Sequence, residues 1–146
     1  MSVIDAYGLV AFLAGEPAAA PVERLLRDRQ DPPTLSVVNL AEVLDVLVRI
    51  YGFPVEAVVH RLDLLSAGPV AIVEADEFAG RLAGDLRSRY YRRNDTAISL
   101  ADCFALATAS LLDVPLATAD PALARVAGEE GVEVVRLPDS AGRLPA

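Results

Sequence analysis

The chain reads as a single α/β domain: a parallel sheet of about five strands with helices on both faces. Two observations predict this. Five short strand-like stretches occur at Val3-Ile4, Thr34-Leu35-Ser36, Val70 to Val73, Pro115 to Thr118 and Val132 to Arg136, each too short to be a helix. Stretches of helical periodicity separate every one of them from the next. That alternation is the pattern of βαβ units, whose crossover helices cover both sheet faces.

Taken in order, Val3-Ile4 opens as a buried strand, and Ala6 to Ala14 follows as a helix closed by Gly15. Glu16-Pro17 begins a second helix that runs through Leu26 and breaks at Asp31-Pro32-Pro33. After the strand Thr34-Leu35-Ser36, helical spacing continues from Val37 to Tyr51 and stops at Gly52. Pro54 to Leu65 is a further helix, closed by Gly68-Pro69 before the buried strand Val70 to Val73. Helices are expected from Ala75 to Arg92 and from Ser99 to Leu112, then a strand at Pro115 to Thr118. Pro121 to Glu130 is the last helix and Val132 to Arg136 the last strand. There is no internal repeat and no linker. The domain is expected to span residues 1–138, with residues 139–146 as a loose tail.

The 146 residues are 53% hydrophobic and 23% charged, which suits one globular domain with a developed core and excludes a disordered chain. No apolar run is long enough to span a bilayer, and the start MSVIDAYG carries neither a basic region nor a cleavage signal. Cys103 is the only cysteine, so a disulfide framework and a thiolate zinc site are excluded. A cytoplasmic location is expected. The net charge of −8 argues against tight, non-specific nucleic-acid binding. Every basic residue other than His60 is Arg, however, the better bidentate partner for phosphate. Arg87, Arg89, Arg92 and Arg93 gather around Tyr90 and Tyr91. They read either as a phosphate-binding patch or as a solvated helix end favoured by the helix dipole.

Four acids stand out. Asp5 follows the first strand, Glu42 lies in SVVNLAEVLDVL, Asp102 in SLADCFALATA and Asp120 in PLATADPAL, each among residues that belong in a core. Charge in such company is costly without compensation. Each acid also has an ordinary explanation. Asp5 can cap the helix that follows it. Asp120 before Pro121 is a favoured cap. Asp102, three after Ser99, fits a capping box. Glu42 shares a stripe with Asp45 and Arg49 and can face solvent. At about 100° per residue, Leu100, Cys103, Phe104, Ala107 and Leu111 share one face of their helix, with Asp102 opposite, beside Ala101, Ala105 and Ala109. With Leu106 and Leu112 apolar as well, that helix is expected to be covered on two sides. For Glu42, Val37, Leu40, Leu44, Leu47 and Val48 form the expected core face, with Val43, Val46 and Ile50 crowding the far side. What the ordinary explanations leave open is the joint pattern. Strand-to-helix handovers collect along one sheet edge, where ligands bind in such folds. Carboxylates gathered there without Arg or Lys suit a hard divalent cation.

VIDAYGLVAFL, SVVNLAEVLDVL, SLADCFALATA and LATADPALARVA occur in the order and at the spacing of PIN domains. Over nearly its whole length the chain resembles the VapC-type ribonuclease toxins of bacterial toxin–antitoxin pairs. The resemblance implies a parallel sheet of about five strands and an acidic quartet, Asp5, Glu42, Asp102 and Asp120, that binds Mg²⁺ or Mn²⁺ and hydrolyses RNA phosphodiesters. It implies supporting roles for Thr118 and Asn39, an antitoxin partner and a homodimer. Ala6 stands where many relatives carry Ser or Thr. In this reading Asp5 and Asp102 hold the principal metal, and Glu42 and Asp120 act through water or a second ion. No protein nucleophile is expected: Cys103 faces the core and His60, in VVHRLDLL, has no acid or hydroxyl partner. Two rivals use the same scaffold. A receiver-type signalling domain needs paired acids and a late Lys, and the chain has no Lys. A non-catalytic partner-binding module would use the Leu- and Val-rich helices from Val22 to Leu65.

Overall fold

The structure, a computed structural model, describes Met1–Ala146. Its centre is a five-stranded, all-parallel sheet in the order β3-β2-β1-β4-β5, formed by β1 (Val3–Ile4), β2 (Thr34–Ser36), β3 (Ala71–Val73), β4 (Leu116–Thr118) and β5 (Val134–Arg136). Seven α-helices connect and flank the strands: α1 (Ala6–Ala14), α2 (Ala19–Arg27), α3 (Val37–Asp45), α4 (Val55–Ala67), α5 (Glu77–Tyr90), α6 (Leu100–Leu112) and α7 (Pro121–Glu129). None is long and apolar enough to cross a membrane.

Successive strand residues point to opposite faces, and the sheet divides its side chains accordingly. Ile4, Leu35, Ala117 and Val135 join α1 to α4 in one core, while Val3, Leu116 and Val134 join α5 to α7 in the other. Burial on both faces is why these strands are apolar at every second and every first position.

The strand order reverses direction at β1. From there the chain moves outward to β2 and β3, then returns to place β4 and β5 on the other side. In doubly wound sheets the crevice for ligands opens beyond the carboxyl ends of the strands at such a reversal. β1 and β4 therefore aim the residues that follow them, Asp5 and Asp120, at one place.

Several boundaries differ from expectation. α2 begins at Ala19, because Glu16 to Ala18 form a turn and the Glu16 carboxylate accepts hydrogen bonds from the hydroxyls of Tyr7 and Tyr51. The long helix from Val37 does not run uniformly; α3 passes at Val46–Ile50 into a π-turn. β3 is an edge strand with Ala71 exposed, so burial there falls on Val70. α3 turns Asn39 and Val43 inward and leaves Val37, expected on the core face, exposed, since α6 packs against the far side. α6 is packed on two sides as expected, but Leu100, Leu111 and Leu112 are exposed and the small residues Ala105 and Ala109 are fully buried. Close approach of α5 to α6 favours the small face over the large one. Beyond β5 the chain folds back in a turn, with the Asp139 N–H on the Arg143 carbonyl at 2.7 Å and the Gly142 N–H on the Asp139 carbonyl at 2.9 Å.

Candidate metal centre

Asp5 is the most confined of the acids, 3% exposed at the end of β1. Its Oδ1 accepts the backbone N–H of Gly8 at 2.9 Å, capping α1, and its Oδ2 accepts the Thr118 hydroxyl at 2.5 Å. Thr118 ends β4 and is itself fully buried; its oxygen also accepts the Asp120 N–H at 3.0 Å. One hydroxyl thus ties the first acid to the backbone of the fourth. Asp120 caps α7 through Oδ1, which accepts from Ala122 at 2.7 Å and Leu123 at 3.2 Å, with Pro121 at the first helical position.

Asp102 sits in the first turn of α6. Its Oδ2 accepts the Ser99 N–H at 2.7 Å, and Ser99 Oγ accepts the Asp102 N–H at 3.0 Å, a complete capping box. Glu42 projects half-buried from α3. Asn39, fully buried one turn earlier, donates through Nδ2 to the Ala101 carbonyl at 3.1 Å, which fastens α3 to the start of α6. The same amide supports the charged form of Glu42. Asn39 Oδ1 has no protein partner.

The capping roles are real for Asp5, Asp102 and Asp120, and they do not scatter the acids. All four of the quartet line a single open cleft of about 410 Å³, with Tyr7, Asp139 and Ser140 at its rim. No Arg, Lys or His lines it. The electrostatics reflect that. Burial, assisted by Asp102 and Asp120, lifts the Asp5 carboxyl to about 7 against the hydrogen bonds from Thr118 and Gly8. Burial also raises Glu42, with Asp102 adding to the effect, and raises Asp102, with Asp120 adding to the effect. Each acid of the quartet therefore belongs to one chain of like-charge repulsion.

No three of these carboxylates converge tightly enough to enclose one ion. Three of them, Asp5, Asp102 and Asp120, are engaged at the helix N-termini they cap. The donor set nonetheless fits a hard divalent cation: carboxylate oxygens only, a buried acid held at about 7, and no cation among the lining residues.

Other candidates fall away from this cleft. Cys103 is buried, and desolvation pushes its thiol up to about 11. His60 is exposed on α4 and lines none of the cleft. The expected arginine patch divides. Arg89 is held by Asp85 at 2.7 Å and Glu130 at 2.7 Å, and stacks on Tyr90. Arg87 donates to the Ile98 carbonyl and covers Tyr91, and Arg92 donates to the Tyr91 carbonyl. Only Arg93 reaches a cavity, a groove of about 910 Å³ beside the acid cleft that also holds Arg125 and Arg136.

Sequence reasoning missed Tyr7, Asp139, Arg125 and Arg136. Asp139 carried a usable signal, since it follows a strand just as Asp5 and Asp120 do. Arg125 and Arg136 carried none: they are isolated in sequence and meet only because β5 pairs with β4 beside α7.

This all-parallel sheet, with acids gathered where its strand order reverses, defines an α/β domain built around an anionic cleft. The PIN domain family matches residues 2–129, and the chain belongs to that family. Among solved structures it is similar to a toxin–antitoxin complex from Klebsiella pneumoniae, with 23% identity, a TM-score of 0.66 and coverage of 92% of this chain and 96% of that one. It is similar to FitAcB from Neisseria gonorrhoeae, with 26% identity, a TM-score of 0.64 and the same 92% and 96% coverage. A third relative in fold is VapC20 of Mycobacterium tuberculosis, a toxin that cleaves the sarcin–ricin loop, with 17% identity, a TM-score of 0.61 and coverage of 77% and 84%. Comparison with curated proteins gave no significant match.

Proposed function

We propose that this chain is a divalent-metal-dependent endoribonuclease, the toxin member of a toxin–antitoxin pair, active in the cytoplasm and held in check by a cognate antitoxin. The observation that carries the reading is the cleft itself: Asp5, Glu42, Asp102 and Asp120 line one cavity that contains no protein cation. The named structures, a toxin–antitoxin complex and an RNA-cleaving toxin, support the biological setting and an antitoxin partner; a homodimer belongs to the same reading.

Asp5, Glu42, Asp102 and Asp120 would hold Mg²⁺ or Mn²⁺. Such an ion, when bound, polarises a non-bridging phosphate oxygen and lowers the pKa of a coordinated water. The chain's own contribution is orientation. Thr118 fixes the Asp5 carboxylate from one side and Gly8 from the other. Ser99 fixes Asp102, and Asn39 supports Glu42 in its charged form. Asp120 lines the cleft, and its Oδ2 makes no hydrogen bond within the protein. The Cys103 thiol is buried and His60 lies outside the cleft, and this reading assigns the attack to water.

The rivals fare differently. Receiver-type sheets run in the order 2-1-3-4-5, whereas this sheet runs 3-2-1-4-5. A purely partner-binding module leaves the uncompensated acids without a purpose. The test is direct. Purified wild type with Mg²⁺ or Mn²⁺ is expected to generate new RNA ends, and Asp5→Asn or Asp102→Asn to reduce cleavage by at least 10²-fold, in line with losing electrostatic stabilisation of the transition state. RNA cut at the wild-type rate by folded Asp102→Asn protein, or undiminished in EDTA, refutes the assignment.

A further inference from the structure

We propose that the groove beside the acid cleft is a phosphate track for single-stranded RNA, with Arg93 and Arg136 as its principal contacts and Arg125 as a third. This inference deepens the ribonuclease reading and rests on it for the identity of the strand.

The groove and the cleft are continuous: Asp120 and Pro121 line both. At about 910 Å³ the groove is more than twice the volume of the 410 Å³ cleft, room for chain on one side of a scissile phosphate. Two of its three arginines carry no ion pair. Arg27, Arg49, Arg81, Arg89 and Arg143 are each paired with a carboxylate, whereas Arg93 and Arg136 have none within ion-pair distance. Arg125 lies 3.7 Å from Glu129, an exposed pair of small worth.

The arginines come from three elements and are held in place. Arg93 lies in a tight turn closed by a two-way backbone pairing of Arg92 with Thr96, at 3.0 and 2.8 Å. Thr96 is buried and accepts a hydrogen bond from the Arg125 guanidinium of α7, so turn and helix share one anchor. Arg136 ends β5, next to Thr118 on β4. Two acids face the same groove, Asp95 and Asp120; Asp120 is committed to the neighbouring cleft and to the α7 cap. Arg93, Arg125 and Arg136 thus bring three guanidinium groups into one groove on a chain of net charge −8. No aromatic ring lines the groove, so it offers bases no stacking platform. What it recognises is the repeating phosphate, and guanidinium is the group suited to it.

The test measures binding of a short, fluorescein-labelled single-stranded RNA by anisotropy across a salt series, with all proteins in the Asp5→Asn background. Each neutralised phosphate contact contributes about 0.7 to the slope of log K against log salt for a single strand. Arg93→Gln and Arg136→Gln are each expected to reduce that slope by about 0.7, and the double variant by about 1.4. Arg89→Gln, whose charge is already held by Asp85 and Glu130, is expected to leave it unchanged. All three positions are exposed, so folding is not at stake. An unchanged slope in the double variant overturns the proposal, as does an equal reduction in Arg89→Gln. Wild-type cleavage is scored separately. Cleavage with unchanged slopes leaves the nuclease standing and removes the groove; shifted slopes without cleavage do the reverse.

Discussion

At Asp5 a single carboxylate caps a helix through Gly8, accepts from Thr118 and faces an anionic cleft. Burial is the main reason its carboxyl rests at about 7 instead of 3.8, with Asp102 and Asp120 adding to the effect. Between those two pH values the folded state binds more protons than the unfolded chain. Stability from this group is therefore present below pH 3.8 and is lost as pH rises through about 7. Glu42 and Asp102, also raised, act in the same direction. At about 1.36 kcal/mol per pKa unit the contribution of Asp5 is on the order of a few kcal/mol. Metal-free protein is thus expected to melt at progressively lower temperature from pH 5 to pH 8. Asp5→Asn should flatten that dependence and raise the melting temperature at pH 8 while abolishing cleavage. Melting curves in EDTA check this, and an Asp5→Asn protein less stable than wild type at pH 8 contradicts it. A stability cost of this kind, relieved when an acid is removed, is typical of functional sites.

For a whole helix, the docking of α1 depends on Gly8. A Cβ at this position would lie 2.6 Å from Ile4 Cγ2 and 3.2 Å from Leu137 Cδ1. Glycine inside a helix normally weakens it by roughly 0.5–1 kcal/mol relative to alanine. Here overpacking, at about 1–3 kcal/mol, works against the helix gain. Gly8→Ala is therefore expected to lower the unfolding free energy, read from a urea titration, by a net ~1–2 kcal/mol and to weaken activity, because the Gly8 N–H that orients Asp5 moves with α1. A more stable Gly8→Ala protein would mean that α1 does not sit against β1 as described. The other elements that carry acids are held by features with local signatures. Ser99 and Asp102 form a capping box, and Asp120 with Pro121 starts α7. Those starts were visible in the sequence because caps are local. The inward face of α6 was not, because close contact with α5 buries alanines and leaves leucines outside.

Across the molecule, a chain of net charge −8 brings Asp5, Glu42, Asp102, Asp120 and Asp139 into one cleft. A divalent cation that binds only the folded state stabilises it by RT ln(1 + [L]/Kd), about 2.7 kcal/mol at one hundred times Kd. Mg²⁺ or Mn²⁺ is expected to raise the wild-type melting temperature in a concentration-dependent way, and Asp5→Asn or Asp102→Asn to suppress most of that shift. A shift of equal size in wild type and both variants would locate the ion elsewhere. The experiment reads binding without reference to turnover, so it separates an empty cleft from a slow enzyme.

Strand-like runs, helix caps and the positions of Asp5, Glu42, Asp102 and Asp120 follow from local chemistry: burial of apolar side chains, backbone donors at helix starts, and acids placed where strands end. These were legible one segment at a time, and so was membership of an α/β class. The strand order, with its reversal at β1, was not. Nor was the π-turn after α3 or the meeting of Arg93, Arg125 and Arg136. Each depends on which distant segments pair and pack, and pairing energies are shared between residues far apart in the chain. Local sequence placed the charges at the ends of elements; tertiary structure decided which of those ends face one another.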